Sequence, residues 1–139
     1  MLTRALLAIA LSCGTAAIAS AQETKVVALG VANGLVDQEA LQRGEIPPVP
    51  KFNTAGVAYV LVAHANKGDA IQVTLMQDGK TLMRDVRELD GDEAGVLVQA
   101  GKTGVPAGGW PEGLYSAHVK ITRDGATIAE QESDPIPFE

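Results

Sequence analysis

Beyond residue 45 the chain alternates with a period of two, and a helical period is nearly absent. Leu114 to Thr122 is the clearest case. Tyr115, Ala117, Val119 and Ile121 fall on one face, and Ser116, His118, Lys120 and Thr122 on the other. That pattern predicts a strand with one buried face and one solvated face. Ile71, Val73 and Leu75 alternate with Gln72, Thr74 and Met76 in the same way. Val57 to Ala63 is apolar on both faces, as a central strand would be. Val26 to Val31, Lys80 to Glu88, Gly95 to Ala100 and Ala126 to Glu132 complete a predicted set of about seven strands. Asp78-Gly79 and Asp124-Gly125 each separate two such runs and predict tight hairpins, because both residue types tolerate a positive φ. Asp90-Gly91, ahead of Gly95 to Ala100, is a third candidate turn.

Two stretches depart from this rhythm. Asn33 to Lys51 contains a predicted short helix with Asp37 as its N-cap, followed by Glu45-Ile46-Pro47-Pro48-Val49-Pro50. The proline run must be extended and cannot pair as a central strand. Lys102 to Glu112 holds Gly104, Pro106, Gly108, Gly109 and Pro111 around Trp110, and predicts a long, stiff connection. Many short strands and close turns predict one all-β domain over residues 22–139, an antiparallel β-sandwich.

The first twenty-one residues belong to a different class. Met1-Leu2-Thr3-Arg4 is a short positive start, Ala5 to Ile18 is largely apolar, and Ala19-Ser20-Ala21 is a small-x-small cleavage site. That order predicts a signal peptide over residues 1–21 and an exported, periplasmic protein whose mature form starts at Gln22. The apolar run is short and Ala-rich for a membrane span. No transmembrane segment is expected in the mature chain. The single cysteine, Cys13, lies inside this segment, so a processed chain has no disulfide, thiolate metal site or cysteine nucleophile. A competing reading takes Ala10-Leu11-Ser12-Cys13 as a loose lipobox, which would anchor the same domain through lipidated Cys13. Extracellular release is the remaining alternative. The formal charge of the whole chain is −6. An acidic surface argues against nucleic acid, whose phosphates require clustered Lys and Arg.

Gly109-Trp110-Pro111-Glu112-Gly113-Leu114-Tyr115, the alternating strand to Ile121, Asp124-Gly125 and a closing Ile136-Pro137-Phe138 resemble the last third of an immunoglobulin-like domain of exported bacterial proteins. The match spans roughly thirty residues, and the earlier part of the chain is similar in outline only. The resemblance implies that the sandwich is of immunoglobulin-like type. Tyr115 would then be a tyrosine corner two positions before inward Ala117, which stands where immunoglobulins carry the second cysteine of their cross-sheet disulfide. Gly113 would let the chain turn into the strand. Trp110 would cover the end of the core, its indole N–H meeting a loop carbonyl.

The candidate chemistry is sparse. His64 and His118 are the only histidines, and in an immunoglobulin-like arrangement their strands lie in opposite sheets. The acidic run Asp90-Gly91-Asp92-Glu93, with Asp85 and Glu88 before it, offers oxygen ligands, but its spacing matches no EF-hand and reads as a solvated turn. There is no Gly-x-Ser-x-Gly elbow and no phosphate-cradling glycine loop. No enzyme, cofactor or metal is expected. Two surfaces remain as candidates for an interaction. Pro47, Pro48 and Pro50 could present a polyproline segment, or could simply block pairing at a sheet edge. Trp110 is either a lid on the core or an exposed anchor. The expectation is a non-catalytic interaction or accessory module that meets another cell-envelope protein. The alternative is a small-ligand or carbohydrate-binding module using Trp110 and adjacent loops.

Overall fold

The computed structural model describes residues 23–139. The expected signal segment, Cys13 and the Ala19-Ser20-Ala21 site lie outside the described residues. Among the described residues, eight strands and one short helix follow in the order β1 (Lys25–Ala32), α1 (Gln38–Gln42), β2 (Gly56–Ala65), β3 (Ala70–Gln77), β4 (Lys80–Glu88), β5 (Glu93–Lys102), β6 (Leu114–Arg123), β7 (Ala126–Glu132) and β8 (Ile136–Pro137). They form two antiparallel sheets. One has the order β1-β2-β5, and the other the order β4-β3-β6-β7 with β8 also paired to β6.

The core lies between the sheets. Ala58, Val60 and Val62 of β2 and Val96 and Val98 of β5 meet Ile71, Val73 and Leu75 of β3 and Ala117, Val119 and Ile121 of β6. The period-two alternation of β3 and β6 therefore marks which residues enter the sandwich. β2 is apolar on its other face as well, because that face is covered too. Tyr59 and Leu61 pack with Ala32 and Leu41, so α1 forms a second, smaller cluster on the outside of the first sheet.

The Asp-Gly pairs do not all do the same work. Asp78 (φ 48°) and Gly79 (φ 81°) close the β3–β4 hairpin, and Asp124 (φ 53°) and Gly125 (φ 82°) close β6–β7. Positive φ at both central residues matches the right-handed twist of the flanking strands. Asp90-Gly91 closes no hairpin: neither residue has a positive φ, and β4 and β5 belong to different sheets. This connection carries the chain from one layer to the other.

Candidate interaction surface

The connection from β1 to β2 is fastened to the outside of the first sheet. Asp37 caps α1, its carboxylate accepting from the Ala40 N–H at 3.1 Å. The Asn33 N–H donates to the Pro48 carbonyl at 3.0 Å, closing the connection into a loop. Gln99 of β5 holds it from beneath: its amide oxygen accepts from the Val36 N–H at 2.7 Å and its amide nitrogen donates to the Val36 carbonyl. Gln38 reaches the Gly95 carbonyl at 3.0 Å. Leu41 and Pro50 are turned inward.

What this fastened segment turns outward is apolar. Leu35 is 72% exposed, Ile46 88% and Val49 59%. Beside Ile46, Arg43 and Glu45 pair at 2.8 Å. Between this strap and β1 lies an open groove of about 520 Å³, lined by Val27, Leu29, Leu41, Ile46, Pro47 and Tyr59 among others. Val27 sits at a β-bulge, where the register between β1 and β2 slips between Val26 and Ala28.

The residues singled out from the sequence separate in the structure. Pro48 is exposed and Pro47 half-buried, but Pro50 is fully buried and contributes no surface. Trp110 is also buried, at 7% exposure, so it is neither an anchor for a partner nor a platform for a sugar ring. Its indole N–H donates to the Thr54 carbonyl at 2.7 Å. Its ring meets Tyr115 and Phe138 edge to face, at 5.8 and 5.5 Å between centroids, while Tyr115 and Phe138 stack on each other. The Tyr115 hydroxyl donates back to the Pro111 carbonyl, and burial pushes its pKa up. Gly113 (φ 152°) takes a conformation that a side chain rarely adopts, and a Cβ there would lie 2.6 Å from the Asp78 carboxylate. That carboxylate also accepts from the Leu114 N–H at 2.9 Å, locking the entry of β6 against the β3–β4 turn.

The histidines and acids are engaged elsewhere. His118 lies on the outer face of the second sheet, 2.8 Å from Glu130 of β7. His64 is in the first sheet, near the end of β2, with φ 56°. Asp92 accepts from the Lys67 N–H at 2.7 Å, and Glu93 pairs with Arg87 at 3.0 Å. Among the described residues no group of three or more His, Cys, Asp or Glu side chains is placed to hold a metal. No described helix is long and apolar enough to cross a membrane.

One charged constellation is not legible as a site in the sequence. Asp69, fully buried before β3, accepts from Arg123 through both oxygens, at 2.8 and 2.9 Å, and from the Asn66 N–H at 2.8 Å. Arg123 also donates to the Thr24 hydroxyl at 2.8 Å, and that hydroxyl donates to the His64 carbonyl. The register pairs Ala70 with Thr122, which brings Asp69 and Arg123 together at the next position.

No protein-family model, curated protein or solved structure matches this chain.

Proposed function

We propose that this protein is an exported, non-catalytic module of immunoglobulin-like type that docks on another cell-envelope protein through its β1–β2 connection. The observation that carries this reading is the exposure of Leu35, Ile46 and Val49 on a segment that is otherwise pinned down. A mobile loop would show apolar side chains in passing. A fastened strap that holds them outward keeps a fixed apolar surface in water, which the fold does not require and a partner would cover. The immunoglobulin-like type draws support from the strand order, β1-β2-β5 facing β4-β3-β6-β7. It draws support also from the Tyr115 hydroxyl reaching back to Pro111, two residues before inward Ala117. The non-catalytic reading draws what support it has from the placement of the two histidines in different sheets, His64 on β2 and His118 on β6.

The double variant Ile46→Asp/Val49→Asp tests the docking surface. It should fold as the wild type does, since both side chains are exposed, with a stability change within about 0.5 kcal/mol. In cross-linking on the native envelope followed by mass spectrometry, a partner captured reproducibly by the wild type should be lost from the variant. Equal capture by both proteins removes the strap from the interface. Export is tested separately by the intact mass of the protein recovered from the envelope. A chain starting at Gln22 is expected, and a lipid-bearing species starting at Cys13 would replace the soluble form with the anchored one. A full-length chain retaining Met1 in the cytoplasm would overturn export.

A further inference from the structure

We infer that the protein pairs with a second copy of itself along β4, the two strands running antiparallel about a two-fold axis at Val86 and joining the second sheets of both copies into one. This goes beyond docking through the strap and uses the opposite sheet. β4 is an edge of that sheet: among the described residues it pairs with β3 alone. All of its residues except Met83 are exposed. Its register with β3 runs unbroken from Met83 to Glu88, beyond the irregularity near the turn. Just past its end, the Leu89 N–H donates to the Asp69 carbonyl. Backbone bonds in an antiparallel ladder alternate from residue to residue, so Arg84, Val86 and Glu88 turn their N–H and C=O groups to the open edge.

The order of charges along this edge selects the partner. Residues 84–88 read Arg-Asp-Val-Arg-Glu: plus, minus, neutral, plus, minus. Laid antiparallel on itself about Val86, the segment sets Arg84 against Glu88 of the second copy and Asp85 against its Arg87, and the axis repeats both contacts. Every charge then faces its opposite, and Val86, 48% exposed, meets its own copy at the centre. Opposite charges directly across two strands stabilise the pair, and like charges destabilise it. Moving the axis one residue either way sets Asp85 or Arg87 against itself. Charges on an edge strand ordinarily hinder pairing with other strands. Here their order matches a second copy of the same strand. β7, at the other edge of the sheet, carries only Glu130 and Glu132 and offers no opposite charge to its own copy. A two-fold contact closes on itself, so the product is a dimer and not a fibre. One short strand buries less than a standard interface, and exposed ion pairs are screened by salt, so the dimer is weak and salt-sensitive.

The test is sedimentation equilibrium of the purified protein alone, at concentrations up to about 1 mM. The mean mass should rise from monomer toward dimer and no further, and should fall back when salt is raised from about 0.05 to 0.5 M. Arg84→Glu and Glu88→Arg should each weaken self-association about tenfold, because the axis makes each reversal act twice. An equimolar mixture of the two variants should dimerise again, since each copy then meets opposite charge at both contacts. The double variant Arg84→Glu/Glu88→Arg exchanges the two signs and should associate within about threefold of the wild type. Both positions are exposed, so every variant should melt at the wild-type temperature. The inference is overturned if the wild type stays monomeric at about 1 mM. It is overturned also if the single variants associate as tightly as the wild type, or if their mixture associates no better than either alone. Ile46→Asp/Val49→Asp leaves β4 intact and should dimerise as the wild type does, so the failure of one reading leaves the other standing.

Discussion

Trp110→Ala is expected to cost about 4 kcal/mol, within the range for removing a large buried aromatic side chain. For a domain of this size that corresponds to a fall in melting temperature of about 15 °C. Three losses combine. The indole leaves a cavity at the end of the sandwich, where it is buried against Tyr115 and Phe138. Its bond to the Thr54 carbonyl disappears, freeing an acceptor at the entry to β2. The backbone bond from the Trp110 N–H to the Phe52 carbonyl then holds the Lys102–Glu112 connection without the side chain's support. Trp110→Phe keeps an aromatic body and should recover more than half of the loss. In the wild type the single tryptophan should emit in the blue and resist quenching by acrylamide. A melting temperature for Trp110→Ala within about 3 °C of wild type would show that the ring is not part of the packing described.

The contrast between what could and could not be read in the sequence follows from how local each feature is. Strand positions are local, and the alternation in β3 and β6 names the inward residues of both. Asp37 as a cap is local too. Asp-Gly reports only the φ angles its residues tolerate, not which sheet the next strand joins. Asp90-Gly91 therefore reads like Asp78-Gly79 in sequence, although one crosses between layers and the other closes a hairpin. The proline run reads as uniform, but Pro50 is buried and Pro48 exposed. What decides between them is the Asn33–Pro48 bond and the placement of α1 on the sheet, contacts between residues distant along the chain. The two-faced apolarity of Val57 to Ala63 was the available signal that something covers the outside of β2. It did not say that the cover would be α1, nor that a groove would remain beside it.

Arg123→Leu should destabilise the protein by about 3 kcal/mol at pH 7, and the deficit should shrink as the pH falls. Asp69 is fully buried, and its two oxygens are held by one guanidinium that is itself about one-third exposed. Removing one member of such a pair leaves an uncompensated buried charge, at about 3–5 kcal/mol for full burial and less where solvent reaches the partner. The pH dependence distinguishes this from a packing loss. In the wild type the Arg123 hydrogen bond holds the Asp69 pKa below the ordinary carboxylate value, against a desolvation that acts the other way. Because the folded pKa is depressed, the stability it contributes is complete above about pH 5 and is lost as acid protonates the folded carboxylate. Without Arg123 the desolvation dominates, the folded pKa rises, and stability is instead lost as the pH rises through it. The two unfolding free energies, measured in urea, should therefore lie far apart at pH 7 and converge below about pH 4. A deficit that stays constant between pH 3 and 7 would assign the loss to packing of the Arg123 stem. The same variant frees the Thr24 hydroxyl from Arg123, so hydrogen exchange at the start of β1 should quicken together with that at the turn before β3. Coupled opening of these two segments is the expected mark of one fastening that ties the chain's entry into β1 to the β2–β3 turn and the end of β6.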